Sequence, residues 1–490
     1  MATKKLLAID YGAESGRAIL GHFDGSKIAL EVLHRFGNPA TRLGAALHWD
    51  PLHLYRELLQ GIRAACKGGK IDSLGVDTWG VDFALLGKDG KLLGNPRQYR
   101  DPHTEGILDL AFSRMKKEEL YRHTGIQFMR FNSLFQLLAL RRHGSSILES
   151  ARHLLFMPDL FHYFLTGEKA NEYSNASTSQ MINPGTRSWS AEVLQAFDIP
   201  QDLVCSLIQP GTLLGPLCPQ VSEETGAGPA PVIVPGTHDT ASAVAAVPAV
   251  TASWAYISSG TWSLMGVETK TPQVTPQALA FNFTNEGGVD GTTRLLKNIM
   301  GLWLVQECRR SFQRQGQEYS YEELTRMAGQ AAPFHSLIEP DDEGFIIPDD
   351  MPRAIADFCS RTGQAAPNSA GGFVRCALES LAFKYRWVME RLQELTGKRI
   401  EVIHVVGGGC QNELLCQFTA DACNREVLAG PVEATALGNI LLQARGLGLV
   451  GSLAELRQVA ARSLPVKSFS PIQPGRWEEP YRRMLGFLAS

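Results

Sequence analysis

Trp254-Ala255-Tyr256-Ile257-Ser258-Ser259-Gly260-Thr261-Trp262-Ser263-Leu264-Met265-Gly266 reads as a strand, a turn of small residues and a second strand. Roughly 250 residues earlier the chain follows the same plan. There, 5–11 is strand-like, 12–16 has to bend around Gly12 and Gly16, 17–23 is strand-like again, and Asp24-Gly25 signals a further hairpin turn. The recurrence predicts an α/β chain built from two similar halves. At 490 residues the chain is too long for one core and suits two domains of roughly 200–250 residues. We expect them over 1–247 and 254–490, joined by a linker at 248–253.

The first of the two turns, Asp10-Tyr11-Gly12-Ala13-Glu14-Ser15-Gly16-Arg17, has the chemistry of an anion cradle. Two glycines let backbone N–H groups approach a phosphate, Ser15 adds a hydroxyl and Arg17 a cation. Asp10, at the strand end, suits a water-shelled Mg²⁺, which needs only one or two carboxylates. A plain surface hairpin that binds nothing has the same signature, because short glycine-rich turns are common. Two such hairpins facing one another would grip a polyphosphate from both sides, with Thr261 supplying donors on the second.

Between them lies Val234-Pro235-Gly236-Thr237-His238-Asp239-Thr240-Ala241-Ser242-Ala243. Pro-Gly ends an apolar run, and the small residues after Asp239 suit a tightly packed helix, so Asp239 falls at a strand-to-helix turn. Such turns hold ligands in open α/β sheets. Helix capping is the competing role for the carboxylate.

Other stretches supply further candidates. The run 73–86 reads as a hairpin interrupted at Trp79-Gly80, where a glycine permits close approach of a ligand and the indole is either a wall under a sugar ring or a core residue. The run 295–307 reads as a helix carrying Asn298 at its start and Gln306 about two turns on. Gly407-Gly408-Gly409-Cys410-Gln411-Asn412 follows a buried-type strand; it leaves bare backbone for a flat ring, or serves a tight turn only, and it is not a dinucleotide fingerprint.

Composition narrows the partners. Hydrophobic content of 44%, charged content of 20% and a net charge of −3 offer no electrostatic case for nucleic acid or anionic membrane. No apolar run approaches a membrane span, and 6–9 is too short for a signal-peptide core. Nine scattered cysteines without a CxxC pair fit reduced thiols and a cytoplasmic setting rather than a zinc site. A small-molecule partner is expected.

Taken together, Asp77-Thr78-Trp79-Gly80-Val81-Asp82-Phe83, His238-Asp239-Thr240-Ala241-Ser242-Ala243, the Ser258–Gly266 hairpin, Lys297-Asn298-Ile299-Met300-Gly301-Leu302-Trp303 and Gly407–Asn412 resemble the actin, Hsp70 and sugar-kinase fold, and in detail the FGGY carbohydrate kinases. The likeness runs over nearly the whole chain. It implies two actin-like (ribonuclease H-like) ATPase domains with a cleft between them, and ATP-dependent phosphorylation of L-rhamnulose at its 1-hydroxyl in L-rhamnose catabolism. It implies Asp239 as proton acceptor, with Gly80, His238, Asp239, Thr240 and Asn298 contacting the ketose. Ala13, Glu14, Ser15, Gly16, Arg17, Thr261, Gln306 and Gly408 would contact ATP, and Asp10 would serve Mg²⁺. A monomer or weak homo-oligomer is expected.

Two departures stand out. Glu14 occupies a position where kinases of this type often carry a small hydroxyl residue; its charge repels phosphate, so it is expected to face solvent and offer only its N–H. The segment 134–142 lacks the Lys-x-Trp pattern common in the wider family. Alternatives are a kinase of the same family acting on fuculose, xylulose or a polyol, an actin- or Hsp70-like ATPase with a protein partner, and an inactive sugar sensor.

Overall fold

The computed structural model describes residues 2–249 and 251–488. Val250, within the expected linker, lies outside the described residues. The chain divides into two compact units: Met1–Val250, Glu268–Leu295 and Ala434–Leu464 form the first, and Thr251–Val267, Leu296–Glu433 and Pro465–Ser490 the second.

In the first unit a six-stranded sheet runs in the order Thr212–Pro216, Pro231–Val234, Ser73–Thr78, Lys4–Tyr11, Ser15–Phe23, Ile28–Gly37. Leu6, Leu7, Ala8 and Ile9 are all fully buried, as a strand covered on both faces must be. On one face Leu6, Ala8 and Ile19 join Ala436, Leu437, Ile440 and Leu441 of the helix Ala434–Gly446 in one core. On the other, Gly61 of the helix Pro51–Cys66 lies so near Ala18 and Ile9 that a Cβ would meet the Ala18 methyl at 2.6 Å. That helix starts where Asp50 accepts from the His53 N–H, and it buries Leu54, Leu58 and Ile62 along one stripe.

Register fixes what gathers at the strand ends. Asp10 stands opposite Arg17 on the antiparallel side and opposite Asp77 on the parallel side. Pro231–Val234 runs parallel to the strand of Asp77, and beyond it Thr78 bridges to His238. Asp10, Asp77 and Asp239 therefore come from three neighbouring strands at their carboxyl ends, the position where open parallel sheets hold ligands.

The expected hairpin over 73–86 does not form. Ser73–Thr78 pairs in parallel with Lys4–Tyr11, whereas Phe83–Leu86 pairs antiparallel with His153–Phe156. The strands diverge because 79–82 turn the chain through a left-handed residue, Val81, at φ 67°. The region 105–165 is largely helical, apart from that one strand.

The second unit repeats the arrangement. Trp254–Ser259 pairs antiparallel with Trp262–Thr269, placing Ser259 opposite Ser263, and parallel with Val402–Val406, placing Ser258 opposite Val406. Glu426–Ala429 and Lys467–Phe469 extend the sheet beyond Val402–Val406. The expected helix over 295–307 is instead the strand Thr293–Met300 followed by the helix Trp303–Arg314. Thr293–Lys297 is buried on both faces, so its sequence carries no alternation to separate it from a helix. Among the described residues all nine cysteines are free, and no helix is long and apolar enough to cross a membrane.

Candidate functional site

The helix Asp239–Ala245 begins at the carboxylate itself, with His238 as the preceding cap residue and no side-chain cap bond. Asp239 thus does not cap in the usual sense. Its Oδ1 accepts from the Thr240 N–H at 2.5 Å and the Thr240 hydroxyl at 3.2 Å, and 31% of its side chain stays exposed. Thr240 is buried beneath it. Removal from water pushes the Asp239 carboxyl above the usual carboxylate range, the nearby His238 opposes this, and the charge of Asp10 adds to it. A carboxylate raised in this way is a better proton acceptor than a solvated one.

Both neighbouring acids are buried. Asp10 is 2% exposed and receives the Arg17 Nε at 3.0 Å. Asp77 is fully buried; its Oδ2 takes the Asn439 amide at 2.5 Å, and its Oδ1 has no hydrogen-bond partner. Burial and then the charge of Asp10 push the Asp77 carboxyl well above its ordinary pKa, and the Asn439 amide opposes this. Sequence reading passed over Asp77, since nothing local marks one acid of the 77–82 block as the one facing Asp10.

Gly80 and His238 meet closely. A Cβ on Gly80 would stand 3.3 Å from His238 Nε2 and 3.2 Å from the Thr178 side chain, so this position accepts no larger residue without displacement. Val81, next to it, is a β-branched residue in left-handed backbone, a costly conformation held here by the Thr178 hydroxyl accepting from its N–H at 3.1 Å. Trp79 is no exposed wall. Its indole is buried against Trp49, with ring centres 4.2 Å apart, and donates to Asp82.

The segment 171–180 is buried throughout. Glu172 accepts from the Thr237 N–H at 3.0 Å, the Thr237 hydroxyl at 2.8 Å and the Ser174 N–H at 2.7 Å, tying the turn before Asp239 to the rest of the unit. No sequence signal joins positions 172 and 237.

In the first hairpin the Gly12 N–H donates to the Ser15 carbonyl at 2.9 Å, and Asn38 braces the turn by bonds to the carbonyls of Gly12 and Glu14. Ser15 is exposed, Ala13 and Glu14 are half-buried, and Gly16 is sealed beneath Phe36 and Tyr11. Mg²⁺ tests favourably against these residues. No three His, Cys, Asp or Glu side chains converge as a direct ligand set among the described residues, yet a hydrated Mg²⁺ asks for one hard carboxylate, which Asp10 supplies at the strand end.

In the second unit the hairpin is packed both against the start of the helix Trp303–Arg314 and against the glycine turn 407–409. The Thr261 carbonyl accepts the N–H groups of Gly301 and Trp303, which docks the hairpin turn on the start of the helix Trp303–Arg314. Gln306 stands in the first turn of that helix with its buried side-chain carbonyl unpartnered, an atom that invites a donor. Gly407 and Gly409 both press on Ser259: a Cβ at Gly407 would lie 3.0 Å from the Ser259 carbonyl and one at Gly409 2.0 Å from its hydroxyl. Two of the three glycines are therefore needed for packing. Gly408 alone is exposed, with open space above it. Asn298 sits half-buried on the strand Thr293–Met300, three positions before Gly301.

The model described as the FGGY family of carbohydrate kinases, N-terminal domain, matches residues 5–246, and the one for the C-terminal domain matches 255–447. A rhamnulokinase of Bacteroides thetaiotaomicron is 48% identical over 479 residues, covering 98% of each chain. Rhamnulokinases of Oceanobacillus iheyensis (40% identical, 95% of this chain and 98% of that one) and Pectobacterium atrosepticum (43%, 96% and 94%) are also similar. Among solved structures, the fold matches a xylulose kinase from Lactobacillus acidophilus at a TM-score of 0.82 and 17% identity, covering 99% and 97% of the two chains. It also matches a Plasmodium falciparum glycerol kinase with ADP at 0.77 and 15%, with the same coverage.

Proposed function

The chain belongs to the FGGY family of carbohydrate kinases and is a sugar kinase, and from that membership we propose that it phosphorylates L-rhamnulose at the 1-hydroxyl, yielding L-rhamnulose 1-phosphate and ADP, with Asp239 as proton acceptor. The observation that carries the chemistry is the partly exposed Asp239 carboxylate, held at a helix start at the same sheet edge as Asp10 and Asp77. The choice of ketose rests on the end-to-end similarity to rhamnulokinases.

Phosphoryl transfer runs through a loose transition state, so the protein contributes alignment and charge compensation rather than covalent chemistry. Gly80, His238, Thr240 and Asn298 hold the ketose; Asp239 orients its 1-hydroxyl and takes the proton as the new O–P bond forms and the bond to the ADP oxygen breaks. Backbone N–H groups of Ala13, Glu14, Ser15 and Gly16, with Arg17, receive phosphate oxygens, and Thr261, Gln306 and Gly408 receive the rest of the nucleotide. Gly80, His238, Asp239, Thr240 and the first phosphate turn belong to one unit, and Asn298, Thr261, Gln306 and Gly408 belong to the other. Asp10 would hold Mg²⁺ through its water shell, and the ion would supply compensation of phosphate charge.

A coupled ADP-release assay over L-rhamnulose, L-fuculose, xylulose isomers and polyols, with and without magnesium, tests this reading. The expected result is magnesium-dependent turnover highest with L-rhamnulose. Higher kcat/KM on any other acceptor would transfer the substrate assignment to that sugar.

A further inference from the structure

Behind His238 lies a sealed ion pair that the phosphoryl-transfer reading does not use. Arg294 is fully buried and Glu286 is 3% exposed, on the neighbouring strands Thr284–Gly287 and Thr293–Met300. Arg294 Nε donates to the Gly287 carbonyl at 2.9 Å, and its Nη2 stands 3.1 Å from His238 Nδ1 in hydrogen-bond geometry. Glu286 Oε2 lies 3.3 Å from that same Nη2 and 3.3 Å from Nδ1. The opposite edge of the imidazole, Nε2, is 3.5 Å from Asp239 Oδ1 and faces Gly80.

A guanidinium has donors only and does not lose its proton in a protein. The ring nitrogen that meets it must therefore carry a lone pair. We propose that Arg294, anchored by Glu286, is a positioning residue that locks His238 in the tautomer with Nδ1 bare and the proton on Nε2. The consequence falls on the reacting edge. Nε2–H then points a donor toward the Asp239 carboxylate and toward any ketose oxygen seated over Gly80, whereas the opposite tautomer would turn a lone pair on both. A buried arginine is a costly way to fill space, and this contact gives it a use that an apolar side chain of similar volume would not have.

Its link to catalysis rests on Asp239 being the proton acceptor, but the tautomer is measurable without turnover. Long-range ¹H–¹⁵N spectra of the full chain, with the His238 signals assigned among the twelve histidines by their loss in His238→Asn, report which nitrogen is protonated. The expected wild-type result is Nε2–H with Nδ1 unprotonated. Arg294→Met should move the proton to Nδ1, facing Glu286, and lower kcat/KM for the ketose about 10–10²-fold, the effect of losing one charge-assisted hydrogen bond, while leaving KM for ATP unchanged.

Nδ1–H or a doubly protonated ring in the wild type would overturn the proposal, and so would an unchanged Nε2–H signal in Arg294→Met. If that variant does not fold, Glu286→Gln decides alongside the wild type: retention of Nε2–H supports Arg294 as the lock, and a move to Nδ1 overturns it. A chain with no ketose-dependent ADP release but the expected tautomer refutes the kinase reading alone. An active kinase with the other tautomer refutes only this inference.

Discussion

Gly438 packs against Ser242 so closely that a Cβ would lie 1.8 Å from the Ser242 carbonyl oxygen. Through this contact the helix Ala434–Gly446 fixes the height of the helix that begins at Asp239, and one residue further on Asn439 reaches Asp77. Gly438→Ala forces a methyl against the Ser242 backbone, with no flexible side chain to yield. We expect a loss of at least about 1–3 kcal/mol in chemical denaturation, together with reduced turnover from displacement of Asp239. A variant as stable and active as the parent would show that the two helices separate easily.

Asp239→Asn removes the proposed proton acceptor and keeps the shape. Loss of a general base typically costs about 10²–10⁴-fold in rate, so kcat should fall by that factor while calorimetry finds nucleotide binding retained. Near-parental kcat would mean another group takes the proton.

Glu172→Gln tests the tether between the 171–180 segment and the turn before Asp239. An amide places an N–H₂ where only acceptors serve the N–H groups of Thr237, Ser174 and Asn175, leaving a buried donor unsatisfied at about 1–3 kcal/mol. Slippage of Thr237 would misplace Asp239 two residues on. Misplacement on the order of 1 Å can lower kcat about 10²-fold, which steady-state kinetics with L-rhamnulose would read.

His162 governs an acid limb of stability. It is buried, its Nε2 accepts the Val76 N–H at 3.2 Å, and removal from water pushes its pKa down to about 3. The unfolded chain binds this proton near the ordinary value of about 6.5, so between those limits the unfolded state holds more protons than the folded one. Stability is therefore full above about pH 6.5 and is lost as pH falls toward 3. His162→Phe should flatten that limb in urea titrations from pH 7 to 4, at a fixed cost of about 1–3 kcal/mol for the orphaned Val76 N–H. An unchanged pH slope in the variant would assign the limb to other groups.

Local chemistry made much of this legible in one dimension. Hairpin turns at Gly12–Gly16 and Gly260–Thr261, the helix Pro51–Cys66 and the strand-to-helix turn at Asp239 follow from glycine placement, caps and apolar spacing, which act over a few residues. The recurrence of the hairpin also announced two similar sheets. Periodicity failed at 73–86 and 293–300, because a strand buried on both faces loses the alternation that identifies it and its partner lies far along the chain.

What the chain's order of residues determined by itself was the set of chemical groups on offer: a carboxylate at 239, a glycine-flanked anion turn at 12–16, a bare backbone at 408. Tertiary structure alone decided their company. It set Asp10 beside Asp77 through strand register, brought Asn439 to Asp77 across 362 positions, tied Glu172 to Thr237, and laid Arg294 behind His238. The physical reason is that a side chain's charge, tautomer and proton affinity depend on distance and desolvation, and both are set by which distant segments the buried sheet draws together.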